Sequence, residues 1–461
     1  MKIIMFKHKL FFIVIFLISA LYGQSQHLWS LEECITYAFE NNLQIKQSEL
    51  GVKSREADYL QKKLNFAPSL NTGYTYNFGW GRSLDQATYN FVNQETQQGY
   101  FNLNSSFTLF GGLQKINTLR QTQFDLLAQK YDYEKIRNDI SLNIAAAYLQ
   151  ILFNIELVKN SQAQVFITKL QVDRTAKQVE AGTVAKGNLL DIEAQQATEE
   201  ANLVNAKNRL DLAYLDLMQL LELKAGDSFD IQKPELKVEL KSEQLLPPKA
   251  IYDKAVTIMP QIKGAELRLK SAKKSLALSK GSRLPTLTMN GGYGTNYSDQ
   301  IKKSYDPTSP DFGLKKSYWD QWADNRNFTL DFRLSIPIFN GYQASTRVKQ
   351  AKINYENINL NLVMEKNRLR KNIEQAYADA KAAYQTFLAR KKQLEALKES
   401  FKYTEEKFNV GMVNATDYNL SKIQLAKAES DLAAAKYDYI FKTRILRFYL
   451  GSPISLKDVV K

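Results

Sequence analysis

The chain has 461 residues, a formal net charge of +14, one cysteine and two histidines. A single cysteine excludes an intrachain disulfide framework, and two histidines leave no Cys/His spacing that would hold a metal. Lysine and arginine are spread among acidic residues rather than gathered with aromatics, so no nucleic-acid partner is expected.

No glycine-rich phosphate loop or Gly-x-Ser-x-Gly elbow is present, so no cofactor and no enzymatic chemistry are expected. At the N-terminus, Lys2, Lys7 and Lys9 give a basic start ahead of an apolar run, Leu10 to Ala20, followed by small residues through Gly23 and Ser25. The run is short for a membrane span and reads as a secretory signal over residues 1–25, so the mature protein is expected to cross the inner membrane. Cys34 sits inside "LEECITYAFENN", well past that run, where a small buried residue on a helix is expected rather than a lipid-anchored cysteine.

Two alternating stretches follow. Around 68–78, Leu70, Tyr74, Tyr76 and Phe78 alternate with Asn71, Thr75 and Asn77; around 101–110, Phe101, Leu103, Phe107 and Leu109 alternate with Asn102, Asn104, Ser106 and Thr108. Period-two alternation predicts strands with one apolar and one polar face. The polar stretch Gly79 to Tyr100 between them is read as a long loop. From Leu113 to Lys177 no proline interrupts a helical pattern. A turn at Gly182 ends it, and the next helix carries a four-three spacing through Leu189, Ile192, Gln196, Glu199, Leu203, Ala206 and Leu210, the mark of a coiled coil. Gln196 and Glu199 interrupt the seam and are read as wall positions facing water.

Residues 224–249, rich in proline and charge, form a linker in which "ELKVEL" can add a strand. The plan then repeats. "FAPSL" returns as "RLPTL", "FTLFGG" as "IPIFNG", and Gly182 as Gly411; the separation grows from 217 between Pro68 and Pro285 to 229 between Gly182 and Gly411. The first copy spans 26–223 and the second 250–455, with a tail at 456–461. The second pair of strands is predicted at 286–297 and 327–338, where Phe328, Leu330, Phe332, Leu334, Ile336 and Ile338 oppose Thr329, Asp331, Arg333 and Ser335. A long polar loop, Ser298 to Arg326, joins them. The second long helix runs from Tyr342 to Lys407, with its seam through Leu369, Ile373, Ala376, Ala380, Ala383, Phe387 and the interruption Arg390. Each long helix implies roughly 95–100 Å at 1.5 Å per residue.

Strands of about ten residues with aromatic ends suit a bilayer, yet four are fewer than the roughly eight a membrane barrel needs. Open edges cannot persist in hydrocarbon, so several chains must pool their strands. Asn102, Asn104, Asp331 and Arg333 would then line a water-filled lumen. A soluble sheet packed on its own helices, in a structural coiled-coil protein or adhesin, is the alternative. At the tips Gly182 and Gly411 read as left-handed helix caps, and the apolar Val410, Met412 and Val413 beside Gly411 point to a docking partner.

In this order, twice, the "LWSLEECITYAFENN" start, the "APSL" and "LPTL" entries, the "LFGG" and "IFNG" exits, and the "AGTVAKGNLLD" and "VGMVNATDYNL" turns resemble the outer membrane efflux protein family, the TolC-like outer membrane factors. Leu43 departs from the proline many members carry there. The resemblance implies a mainly α protein with membrane β: a homotrimeric twelve-stranded barrel in the outer membrane of a Gram-negative bacterium, continued by a periplasmic α-helical barrel of coiled coils. It implies an exit duct of a tripartite efflux pump or type I secretion system, with outer-membrane lipid, a periplasmic adaptor and an inner-membrane transporter as partners. Adaptor docking maps onto Ala181, Gly182, Thr183, Val184, Val410, Gly411, Met412 and Val413. Aspartates near such turns can close the aperture; Asp417 and Asp191 match such positions, Asn188 is the first-copy counterpart of Asp417, and Val413 replaces a possible arginine lock.

Overall fold

The structure, a computed structural model, describes residues 27–85, 89–224, 229–234 and 246–456. The expected signal segment, the ELKVEL stretch and most of the tail lie outside the described residues. In chain order the elements are β1 (Leu28–Trp29), α1 (Leu31–Asn41), α2 (Leu43–Leu64), β2 (Ser69–Leu84), β3 (Phe91–Gly111), α3 (Gln114–Glu180), α4 (Lys186–Leu220), β4 (Asp230–Ile231), α5 (Pro248–Ile258), α6 (Pro260–Gly281), β5 (Thr286–Ser298), α7 (Tyr318–Asp324), β6 (Asn327–Ser335), α8 (Gln343–Asn409) and α9 (Ala415–Tyr449). Packing divides them into two units: Met1–Leu50 with Tyr131–Lys263 and Met364–Lys461, and Gly51–Lys130 with Gly264–Val363.

The second unit holds an antiparallel sheet in the order β2-β3-β5-β6. Its register places Tyr74 opposite Phe101, Leu103 opposite Tyr293, and Tyr293 opposite Phe328, so the apolar side chains share one face. Three sequence expectations are corrected here. The stretch 79–100 is mostly strand: β2 continues to Leu84 and β3 begins at Phe91, leaving a tip where Asp85 N–H donates to Asn90 O at 3.0 Å. Its polar residues pair across the ribbon, Gln94 Nε2 donating to Ser83 Oγ at 2.9 Å and the Tyr76 hydroxyl to Gln97 Oε1 at 2.9 Å. A bulge between Thr108 and Phe110 takes Leu109 out of the pairing, so Phe110, opposite Leu287, joins the apolar face instead. Finally, β6 ends at Ser335 opposite Thr286, short of the expected 338; Pro337 has no N–H to extend the ladder, and Pro285 precedes the partner strand.

Both strand-to-helix junctions use two consecutive left-handed residues, Gly112 (φ 59) with Leu113 (φ 60) and Gly341 (φ 58) with Tyr342 (φ 65). At Gly112 the glycine is doubly required, because a Cβ would lie 2.3 Å from the carbonyl oxygen of Gly281.

The first unit is helical. Ser30 opens α1 with a capping box: its hydroxyl accepts from Glu33 N–H at 3.2 Å while Glu33 Oε2 accepts from Ser30 N–H at 2.7 Å. The buried face of α1, with Cys34 and Ala38, packs into a core with Ile144, Tyr148, Ile151, Leu217 and Leu221. Burial pushes the Cys34 thiol up to about 12, which makes it an inert core residue. One window of α3 is apolar and long enough to cross a membrane, but half of it is buried here, so it reads as core. The linker contributes β4, which pairs in parallel with β1, and the Tyr148 hydroxyl closes the junction 2.7 Å from Gln232 O. A second core joins Ile251, Ala255 and Ile262 to Leu369, Ile373, Ala376 and Ala380.

The copies match in length, α3 and α8 having 67 residues each and α4 and α9 having 35. At 1.5 Å per residue the long helices measure about 100 Å. The predicted seam of α8 is buried from Leu369 through Phe387, and Arg390 reaches Asp431 of α9 at 3.0 Å.

Candidate functional site

Two candidate sites stand out: the paired turns in the helical unit and the polar face of the sheet. The turns are Schellman caps. Gly182 has φ 70 and Gly411 has φ 77, a region that only glycine enters without strain, while a Cβ would meet nothing within 4 Å at either. In the first turn Thr183 N–H donates to Gln178 O at 2.9 Å and Gly182 N–H to Val179 O at 3.0 Å; in the second, Met412 N–H donates to Lys407 O at 2.9 Å and Gly411 N–H to Phe408 O at 3.1 Å. The pattern satisfies helix carbonyls that would otherwise be orphaned and sends the chain back along the next helix.

The turns differ where the return helix begins. Asn414 caps α9, its side-chain oxygen accepting from Asp417 N–H at 2.8 Å, whereas Ala185 caps α4 without a side-chain bond. Asp417 therefore occupies the first turn of α9, where its charge complements the helix dipole. Asp191 and Asn188 are exposed on α4.

The structure brings the two turns to one cleft of ≈ 620 Å³, lined by Thr183, Val184 and Asn188 from the first and Gly411, Met412 and Val413 from the second. Ala181, Gly182 and Val410 are exposed beside it, and Met412 is 78% exposed. Beneath, Tyr418 is buried against Phe408 and Phe401, ring centroids at 4.5 and 5.5 Å, and burial pushes its hydroxyl up to about 12. Arg174 on α3 donates to Asn409 Oδ1 at the end of α8 at 2.8 Å, tying one hairpin to the other.

Deeper in the bundle lies a polar knot that overturns one expectation. Glu199, read as a water-facing wall position, is only 7% exposed, and Lys422 of α9 is 2% exposed. Lys422 Nζ lies 3.5 Å from Glu199 Oε1, donates to Gln164 O at 3.3 Å and donates to the Thr168 hydroxyl, which in turn donates to Glu199. Gln195 completes the shell, Nε2 donating to Glu199 Oε1 at 3.0 Å. Burial holds the Lys422 ammonium below its ordinary pKa of 10.5, while Glu199 pulls it back up. The one sequence signal for this knot was a charged residue at a seam position of α4. The other interruption, Gln196, is half-buried and bonds Glu200 at 2.7 Å.

On the sheet, Asn102, Asn104, Asp331 and Arg333 share the polar face. Asp331 pairs in register with Asn290, which pairs with Ser106; Arg333 pairs with Thr288, which pairs with Thr108; Asn102 and Asn104 continue that parity along β3. A side-chain ladder crosses three strands there: Ser106 Oγ donates to Asn290 Oδ1 at 2.8 Å and Asn290 Nδ2 to Asp331 Oδ2 at 2.9 Å. The opposite face is open apolar surface, with Phe328 81% exposed.

Comparison with known proteins covers both copies. The family model described as "Outer membrane efflux protein" matches residues 35–222 and 251–452. The outer membrane protein TolC of Escherichia coli is 25% identical over 427 residues, covering 90% of this chain and 82% of that protein. The outer membrane efflux protein BepC of Brucella suis is 21% identical over 431 residues, covering 91% and 86%. Among solved structures, the outer membrane protein VceC of Vibrio cholerae superposes with a TM-score of 0.75 at 15% identity, covering 92% of this chain and 96% of that one. CusC superposes with a TM-score of 0.73 at 17% identity, covering 91% and 92%.

Proposed function

The chain belongs to the outer membrane efflux protein family, and from that premise we propose how its strands and turns work as an exit duct. It is an outer-membrane channel of the efflux type. In our reading three copies pool their sheets into one twelve-stranded barrel, with the apolar faces toward lipid and Asn102, Asn104, Asp331 and Arg333 toward a wet lumen. The helices continue the conduit through the periplasm. The exposed turns, Ala181–Val184 and Val410–Val413, receive a periplasmic adaptor that couples the duct to an inner-membrane transporter. The duct itself is passive, since the family is one of channels, and substrates of an efflux pump or a type I secretion system pass through without chemistry.

The observation that carries this reading is the sheet with two open edges. Among the described residues β2 and β6 each pair on one side only, and the apolar face has Leu330, Phe332 and Leu334 exposed rather than buried under the chain's own helices. That exposure opposes the soluble-sheet alternative, in which those side chains would be covered. In hydrocarbon an unpaired edge costs several kcal/mol per backbone group, and neighbouring copies supply the missing partners.

Edge-to-edge cross-linking tests it. Cysteines placed singly on β2 and on β6, as Leu70→Cys and Leu334→Cys in one otherwise cysteine-free chain, should give a ladder ending at three chains after oxidation in detergent. A protein that migrates and sediments as one chain, monodisperse without detergent, would sink the reading.

A further inference from the structure

The loop between β5 and β6 bends toward the apolar side of the sheet. Its short helix α7 presses the Trp322 ring against Phe101 and Tyr74, with centroids 5.5 and 6.1 Å apart, and Tyr318 against Tyr297 at 4.8 Å. By register Tyr74, Phe101 and Thr295 stand on the same face as Tyr293 and Phe328. The loop therefore folds outboard, over the face that meets lipid in the reading above, on which this inference rests.

The attachment is built rather than incidental. Gln321 is almost fully buried and mimics a neighbouring strand at the end of β5: its Oε1 accepts from Ser298 N–H at 2.9 Å and its Nε2 donates to Ser298 O at 2.9 Å and to Lys316 O at 3.0 Å. Thr295 donates to Trp322 O at 2.9 Å, and Asn325 donates to Asn296 O at 2.8 Å. A helix of seven residues would not hold its place alone. These side-chain clamps hold it.

With Trp322 turned inward, Trp319 is turned outward and is 74% exposed. Trp80, on the same face of the β2–β3 ribbon and stacked on Phe78 at 6.2 Å, is equally exposed. An exposed indole is costly in water and too polar for the hydrocarbon centre; its preferred seat is the headgroup level of a bilayer, apolar body inward and N–H to the wet side. Along β2 that face stays apolar from Tyr74 to Trp80, while β3 places Gln97 and Glu95 opposite Phe78 and Trp80, the mixed polar and aromatic lining that suits the edge of the roughly 25 Å apolar band of a barrel.

We propose that α7 and the base of the ribbon form a membrane-surface foot, with Trp319 and Trp80 seated among the lipid headgroups around the rim of the barrel at which the ribbon projects. The loop then does not serve as a lid over the channel mouth.

The test uses the full chain reconstituted in phosphatidylcholine nanodiscs in which a fraction of the lipid carries a nitroxide on its headgroup. Wild-type tryptophan emission should be quenched, and Trp319→Phe and Trp80→Phe should each lose part of the quenched component. Both side chains are exposed, so folding and conductance should be unchanged. If headgroup nitroxide removes the same share of emission from both variants as from the wild type, the foot is refuted while the channel reading stands. Failure of the folded chain to enter the nanodisc at all would instead overturn the channel reading and this inference with it.

Discussion

Lys422 and Glu199 illustrate how residue-scale charge escapes a reading by periodicity. The four-three spacing of α4 locates Glu199 on the seam, but the ammonium that makes burial tolerable lies in α9, in the other copy, where no local pattern announces it. Removing one partner strands the other in a low-dielectric interior. Lys422→Met should therefore cost about 3–5 kcal/mol, and adding Glu199→Leu should recover most of it; denaturant unfolding followed by helical circular dichroism measures both. The pH dependence has a definite sign. Because the folded-state pKa of Lys422 is lowered from 10.5, the native state binds fewer protons than the unfolded chain between that lowered value and 10.5. Stability should rise with pH across that window, with the burial penalty fully present below it, and Lys422→Met should abolish this contribution. Asp417 poses a different question at the same scale. Exposed in the first turn of α9, it either complements the helix dipole alone or forms a ring with two copies of itself. Asp417→Ala should weaken cation selectivity in planar-bilayer recordings; unchanged selectivity and block would reduce it to a helix-end charge.

At the scale of elements, the joint between α1 and α2 shows how two sequences reach one geometry. In the second copy Met259 (φ −65, ψ 129) precedes Pro260, and proline imposes the extended conformation on the residue before it. In the first copy Leu43 stands where that proline would be, yet Asn42 adopts φ −62 and ψ 128. Its side chain does the work: Oδ1 accepts from Gln44 N–H at 3.0 Å and Ile45 N–H at 3.3 Å, and Nδ2 donates to Leu220 O at 2.9 Å. Asn42→Ala should cost about 1 kcal/mol or more as a lost cap, and Leu43→Pro should be nearly neutral because its N–H makes only a long 3.4 Å bond to Glu222. Thermal melts of the two single variants decide this. The strands were legible in the alternation of Phe101, Leu103 and Phe107, and the long helices in their lack of proline. The bulge at Leu109 was not, because Leu109 and Phe110 are both apolar and either can serve the face. Neither was the ribbon at 79–100, where Gln94 and Gln97 look like loop residues until Ser83 and Tyr76 meet them from the facing strand.

For the whole molecule, the duplication was the most legible feature, since "LFGG" and "IFNG" or Gly182 and Gly411 recur in register. Assembly was legible only as a shortage, four strands being too few to close. The contacts that link the hairpins, Arg174 with Asn409 and Lys422 with Glu199, join residues more than two hundred positions apart, a distance over which no local pattern announces a pair. The matched lengths of the two copies, 67 with 67 and 35 with 35, restrict how such a chain can change size. Excising seven residues from each arm of a single hairpin would retract one turn by about 10 Å at 1.5 Å per residue, dissolving the cleft that Val184 and Met412 share. The same excision made in α3, α4, α8 and α9 together should restore a level end and a folded, conducting protein, a difference that single-channel recording would reveal. A change of length in this architecture is thus quantised: a heptad taken from one arm must be taken from all four.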